Sequence, residues 1–124
     1  MHDRPSAAEL CEAVRGFLET EVAPTLQDPR LRFRTLVAIN ALAIAGRDLA
    51  NGEALARNEA ALLADLLGTA AREGTPHEQA RALSVELCRR IRAGDAPPGT
   101  LAALRRIAGW KLDLASPKYR GRRV

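Results

Sequence analysis

Asp28–Gly52 reads DPRLRFRTLVAINALAIAGRDLANG, and this stretch decides the fold. Asp28 followed by Pro29 is a helix start, an N-cap acceptor ahead of a residue whose missing N–H costs nothing in the first turn. Asn51-Gly52 is the expected stop. At about 100° per residue, Phe33, Leu36, Val37 and Ile44 gather on one side, and Leu31, Ile39, Leu42 and Leu49 gather on the opposite side. A helix apolar nearly all round is covered on both faces. The reading makes it the central helix of a bundle. A second copy pairing through Leu31, Ile39, Leu42 and Leu49 is the other cover, so a twofold homodimer through this helix is an expected partner.

The flanking sequence is punctuated in the same way. Ser6-x-x-Glu9 is a capping box that opens a first helix carrying Leu10, Val14, Phe17, Leu18 and Val22 up to Pro24. After the central helix, Leu55, Leu62, Leu63, Leu66 and Leu67 mark a third helix, capped by Gly68. Residues 69–74 read as a linker. Thr75-Pro76-His77-Glu78 is a second capping box, and its helix carries Leu83, Leu87, Cys88 and Ile91 to Gly94. Pro97-Pro98-Gly99 turns the chain into a last helix with Leu101, Leu104 and Ile107, which Ser116-Pro117 ends. The expected fold is all-α, an antiparallel bundle of about five helices.

Composition agrees. The chain has 124 residues, 24 of them Ala and 18 Leu, against four aromatic residues. Ala and Leu lead the helix-propensity order and strand formers are scarce. The length suits one domain, expected over 1–117, followed by a flexible basic tail over 118–124. That tail holds the whole surplus of the +4 net charge, as Lys118, Arg120, Arg122 and Arg123; residues 1–115 balance 15 basic against 15 acidic side chains. The basic pI therefore describes a tail, and a nucleic-acid partner is not expected. No apolar run reaches the roughly 20 residues of a membrane span, and no secretory leader is read at the start, so the expected location is cytoplasmic. Cys11 and Cys88 lack metal or redox spacing and are expected as buried free thiols.

No catalytic constellation is found. His2 and His77 have no nucleophile or carboxylate at motif spacing, no Glu-x-x-His pair exists, and no phosphate-cradling loop is present. No catalytic residue, metal or cofactor is assigned. One polar residue stands out: Asn40, alone in the apolar stretch and aligned with Phe33 and Arg47 at sevens. It is expected as a buried amide bonded across helices, or else with Arg47 as the polar lining of a cleft. In an up-and-down topology Asp3 and Arg4 would lie near Arg47, so Asp3, Arg4, Asn40 and Arg47 form the candidate binding set. Six acidic side chains in residues 1–28 face Arg30, Arg32 and Arg34 as expected inter-helix pairs, and Glu53–Arg57 and Glu86–Arg90 as pairs within helices.

The chain also resembles a family of short uncharacterised bacterial proteins. The resemblance is carried by the opening His2-Asp3-Arg4-Pro5-Ser6-Ala7-Ala8-Glu9-Leu10, by Asn40 within Val37–Ile44, by Leu87-Cys88-x-x-Ile91-Arg92-x-Gly94, and by the closing Pro117-Lys118-Tyr119. It implies a setting beside, or fused to, kinase-like proteins of the aminoglycoside phosphotransferase type and near acyl-CoA dehydrogenases. It supplies a neighbourhood and no mechanism. The expected function is a non-catalytic accessory or interaction protein working with a phosphotransferase-like enzyme. The alternative is a bundle that binds a small ligand or acyl chain, with Asn40 and Arg47 as orienting groups. Residues 118–124 lack apolar periodicity, so deleting them is expected to leave the melting temperature nearly unchanged; a large fall would mean that the tail docks on the body.

Overall fold

A computed structural model describes residues 4–70 and 73–119. Over these residues the chain is all-helical: α1 is Ala7–Phe17, α2 Pro29–Leu67, α3 Pro76–Arg92 and α4 Thr100–Ala115. A π turn at Leu18–Val22 and 3-10 turns at Ala23–Thr25 and Pro117–Tyr119 complete it. Residues 120–124 of the expected tail lie outside the described part, whereas Lys118 and Tyr119 belong to the last turn, where the Tyr119 N–H donates to the Ser116 carbonyl at 3.0 Å.

Four α-helices stand where five were expected, because the second and third are one helix of 39 residues. Asn51-Gly52 does not stop it. Gly52 keeps a right-handed backbone and is buried within α2. Glycine inside a helix costs about 1 kcal/mol. Ending one helix and starting another there would strand as many as four N–H and four C=O groups, and the sequence offers no loop to satisfy them. True stops look different. Gly68 and Gly94 take φ of +68° and +74°, and each closes its helix with paired bonds. The Gly68 and Thr69 N–H groups donate to the Asp65 and Ala64 carbonyls, and those of Gly94 and Asp95 to Ile91 and Arg90. Only glycine enters that left-handed region without strain.

The helix starts follow the sequence. The Ser6 hydroxyl accepts from the Glu9 N–H at 3.2 Å while the Glu9 carboxylate accepts from the Ser6 N–H at 3.4 Å. Asp28 accepts from the Arg30 N–H at 3.1 Å, and Thr75 from the Glu78 N–H at 3.2 Å. Proline shapes the end of the first helical run. Pro24 has no N–H and its ring crowds the carbonyl four residues back, and just before it the helix widens, the Ala23 N–H reaching five residues back to Leu18.

The chain divides into two compact units, residues 1–50 and 51–124. The second unit has a core. Ala60 and Leu63 of α2, Ala80, Leu83 and Leu87 of α3 and Ile107 of α4 are buried together, with Trp110 packed against them. On α3 these positions fall at spacings of three and four, a single helical face. Cys88, one residue beyond Leu87 and so about 100° round the helix, is exposed, which corrects the expected buried thiol. Cys11 is half-buried.

The first unit contrasts with this. It comprises α1, the two turns and the start of α2, and Ala23 is its one buried apolar residue among those described. Leu31, Phe33, Leu36, Val37 and Leu49 are all exposed. The expectation of a central helix covered on both faces is therefore corrected: in this unit α2 has one helix beside it.

Leu63 is 1% exposed, so Leu63→Ala is expected to lower unfolding free energy by about 2–5 kcal/mol, the range for emptying a filled core site. Leu36→Ala, the same chemistry on an exposed site, should cost under about 1 kcal/mol. Urea titration of both variants checks the contrast.

Candidate functional site

The helical hairpin of the first unit leaves several large apolar side chains exposed. α1 meets α2 through small residues: a Cβ built on Gly46 would lie 3.6 Å from the Cys11 Cβ and 3.9 Å from the Ala8 carbonyl oxygen. On α2 the half-buried Thr35, Ile39, Leu42 and Gly46 recur at helical spacing and form this contact face. Phe33, Leu36 and Val37 lie well round the helix from it and point outward, Phe33 66% and Val37 53% exposed. On α1 the stripe Leu10, Val14 and Phe17 is also exposed. The amphipathic spacing of α1 is plain in the sequence; that its apolar stripe is left uncovered is not, since exposure depends on where the neighbouring helices lie.

Asn40 belongs to the outward stripe. It is exposed, which corrects the expectation of a buried amide bonded across helices, because within this unit α1 packs on another face of α2. Arg47 is half-buried and takes part in interactions of its own. Arg4 is exposed and its guanidinium lies 3.7 Å from the Glu9 carboxylate. Asp3 lies outside the described residues. Of the three described members of the set, Arg47 follows the residue that meets α1, Asn40 faces outward, and Arg4, just ahead of α1, pairs with Glu9 in its first turn.

Charges on the hairpin pair locally. Arg15 of α1 is held between Glu12 and Glu19, one turn to either side. Hydrogen bonding from Arg15 holds the Glu12 carboxyl below the ordinary carboxylate value, and the two carboxylates push the Arg15 guanidinium further above its own. This corrects the expected pairing of α1 acids with Arg30, Arg32 and Arg34. All three arginines are exposed at the start of α2, and no side-chain partner meets them among the described residues. A guanidinium reaches a carboxylate three or four residues away on its own helix without any docking, so Arg15 takes the acids first.

The second unit shows the same local logic. Glu53 and Arg57 pair at 3.0 Å, as expected. Glu86 binds Arg89 through two bonds of 3.0 and 2.6 Å instead of pairing with Arg90. Arg90 goes to Asp95, donating to its carbonyl at 3.1 Å with the carboxylate 3.4 Å away. The reason is the left-handed turn at Gly94, which folds Asp95 back over the end of α3. Lys111 and Glu59 pair at 3.4 Å across α4 and α2, with the Glu59 side chain only 14% exposed. His77 is exposed. Among the described residues no helix is long and apolar enough to cross a membrane.

An exposed amide has little folding energy to lose, so Asn40→Ala is expected to change stability by less than about 0.5 kcal/mol. A stranded buried partner would cost about 1–3 kcal/mol, and a loss of that size in urea unfolding would contradict the outward placement.

Comparison with known proteins adds one finding. Neither the curated proteins nor the solved structures give a match to the chain. A family model described as a domain of unknown function, DUF6285, matches residues 24–119, from the turn that follows α1 to the last turn of the fold. With more than three quarters of its length inside that match, the chain belongs to the DUF6285 family.

Proposed function

We propose that the protein is a non-catalytic accessory protein that works with a phosphotransferase-like enzyme and docks through the outward stripe of α2. The observation that carries the reading is the exposure of Phe33, Leu36 and Val37 together on one helix. Three large apolar side chains in a row, with arginines at the start of the same helix, have the composition of a protein contact: an apolar centre with a charged rim. Covering a large apolar side chain fully is worth roughly 1.5–3 kcal/mol, and each of these keeps about half of that unspent in the chain alone. Arg32 lies beside Leu36 on the helix surface and suits a partner that brings carboxylates to the rim. Arg4, Asn40 and Arg47 of the candidate set are the polar groups of this unit that a partner could orient against. The kind of partner follows from the neighbourhood that the family resemblance implies.

The test is co-expression with a phosphotransferase-like protein of the kind that the family resemblance implies as a neighbour, followed by affinity measurement on the purified pair. Phe33→Asp and Val37→Asp are each expected to weaken the complex at least tenfold, about 1.4 kcal/mol, with helical content unchanged because neither side chain is part of a core. Absence of a complex, or a complex indifferent to both substitutions, would overturn the reading.

A further inference from the structure

We propose that the opposite side of the same hairpin, carrying Val14 and Phe17 of α1 and Leu31, Leu42 and Leu49 of α2, is a dimerisation face whose occupant is a second copy of this chain. This goes beyond the accessory reading and uses a different apolar stripe. The side follows from the contact at Gly46. α1 begins beside that residue, and its far end returns through residues 18–28 to the start of α2, so counting forward along α1 is counting backward along α2. With that direction and about 100° per residue, the stripe of Val14 and Phe17 and the stripe of Leu31, Leu42 and Leu49 fall on one side of the hairpin. Phe17 is 52% and Leu49 56% exposed. Ala38 and Ala45, both exposed, lie between the leucines and let a facing backbone approach closely.

Three observations point to a second copy as the occupant. The first is symmetry. Leu31 and Leu49 stand nine positions either side of residue 40, and Ala38 and Leu42 two positions either side. A twofold axis there sets Leu31 against Leu49 of the second copy and Ala38 against its Leu42, large beside large at the ends and small beside large at the centre. The α1 stripe shares this midpoint: five residues back from Gly46 on α2 is Ala41, and about five forward from its contacts on α1 is Val14.

The second is charge. Arg34 and Asp48 flank the same edge of the α2 stripe about four turns apart. Both are exposed, and neither has a side-chain partner among the described residues. The same axis brings Arg34 of each copy towards Asp48 of the other, so both charges are answered twice. The third is area. The four large exposed side chains of this face, Val14, Phe17, Leu31 and Leu49, with the half-buried Leu42 at its inner margin, present on the order of 400 Å² of apolar surface, and the alanines and the charged edge bring it towards the roughly 800 Å² per partner of a standard interface.

The experiment is sedimentation equilibrium of the full chain across the micromolar range. A dimer is expected. Ala45→Glu, an exposed alanine whose replacement leaves the monomer's contacts intact, should shift the dissociation constant at least tenfold towards monomer. Arg34→Asp should weaken the dimer as well, and adding Asp48→Arg to Arg34→Asp should restore it, a rescue that a merely misfolded variant would not show. Circular dichroism on each variant reports whether the helices survive. A wild-type chain that stays monomeric, or a dimer unmoved by Ala45→Glu and by the charge exchange, overturns the proposal. The two readings fail separately: a monomer that still binds the phosphotransferase-like enzyme through Phe33 removes only the dimer, and a dimer that ignores the enzyme removes only the accessory role.

Discussion

The burial of Leu63, Leu83 and Leu87 against Ile107 is the interaction on which the described structure most depends. These four side chains come from three helices, and with Ala60 and Ala80 beside them the backbones can approach closely enough for the leucines to be sealed from water. Each large side chain so buried is worth roughly 1.5–3 kcal/mol, which is what fixes the last third of α2, α3 and α4 against one another. Every device around that core serves its closure. The left-handed glycines at 68 and 94 end the helices where the chain must turn, and the Arg90–Asp95 pair fastens one of those turns. The Lys111–Glu59 pair spans α4 and α2 at the edge of the core, where partial burial of the carboxylate makes it worth more than a fully exposed pair.

The first unit is built on the opposite balance. A two-helix hairpin has no inside: each helix can present one stripe to the other, and any further apolar side chain faces water. Gly46, Ala8 and Cys11 spend the shared face on small groups, which brings the helices close without burying much. The leucines, valines and phenylalanines of both helices are consequently left at or beyond the margin of the contact. A surface of this kind is uncommon on a protein that works alone, and it is why the functional reading rests on association rather than on a chemical centre.

The electrostatics reinforce that division. Side chains three or four residues apart on one helix find each other with no tertiary help, and Arg15, Arg57 and Arg89 are all taken this way. What is left over after local pairing is informative. Arg30, Arg32 and Arg34 at the start of α2, and Asp48 four turns on from Arg34, are charges placed on the rim of apolar stripes and not consumed by their own helix.

The sequence by itself determined the local elements. Ser6, Asp28 and Thr75 mark helix starts, Gly68, Gly94 and Pro117 mark helix ends, and the positions of Leu63, Leu83, Leu87 and Ile107 within their helices follow from a period of 3.6. These are legible because each depends on residues within one or two turns of one another. What only the tertiary structure decided is which apolar faces are covered. Asn51-Gly52 carries the letters of a stop, but whether glycine ends a helix depends on whether the flanking turns are worth more joined than capped, and here α2 runs through. Asn40 and Cys88 carry the periodicity of an interior, but burial needs a neighbour, and a periodic stripe states only that a helix has an apolar side, not that another helix lies upon it.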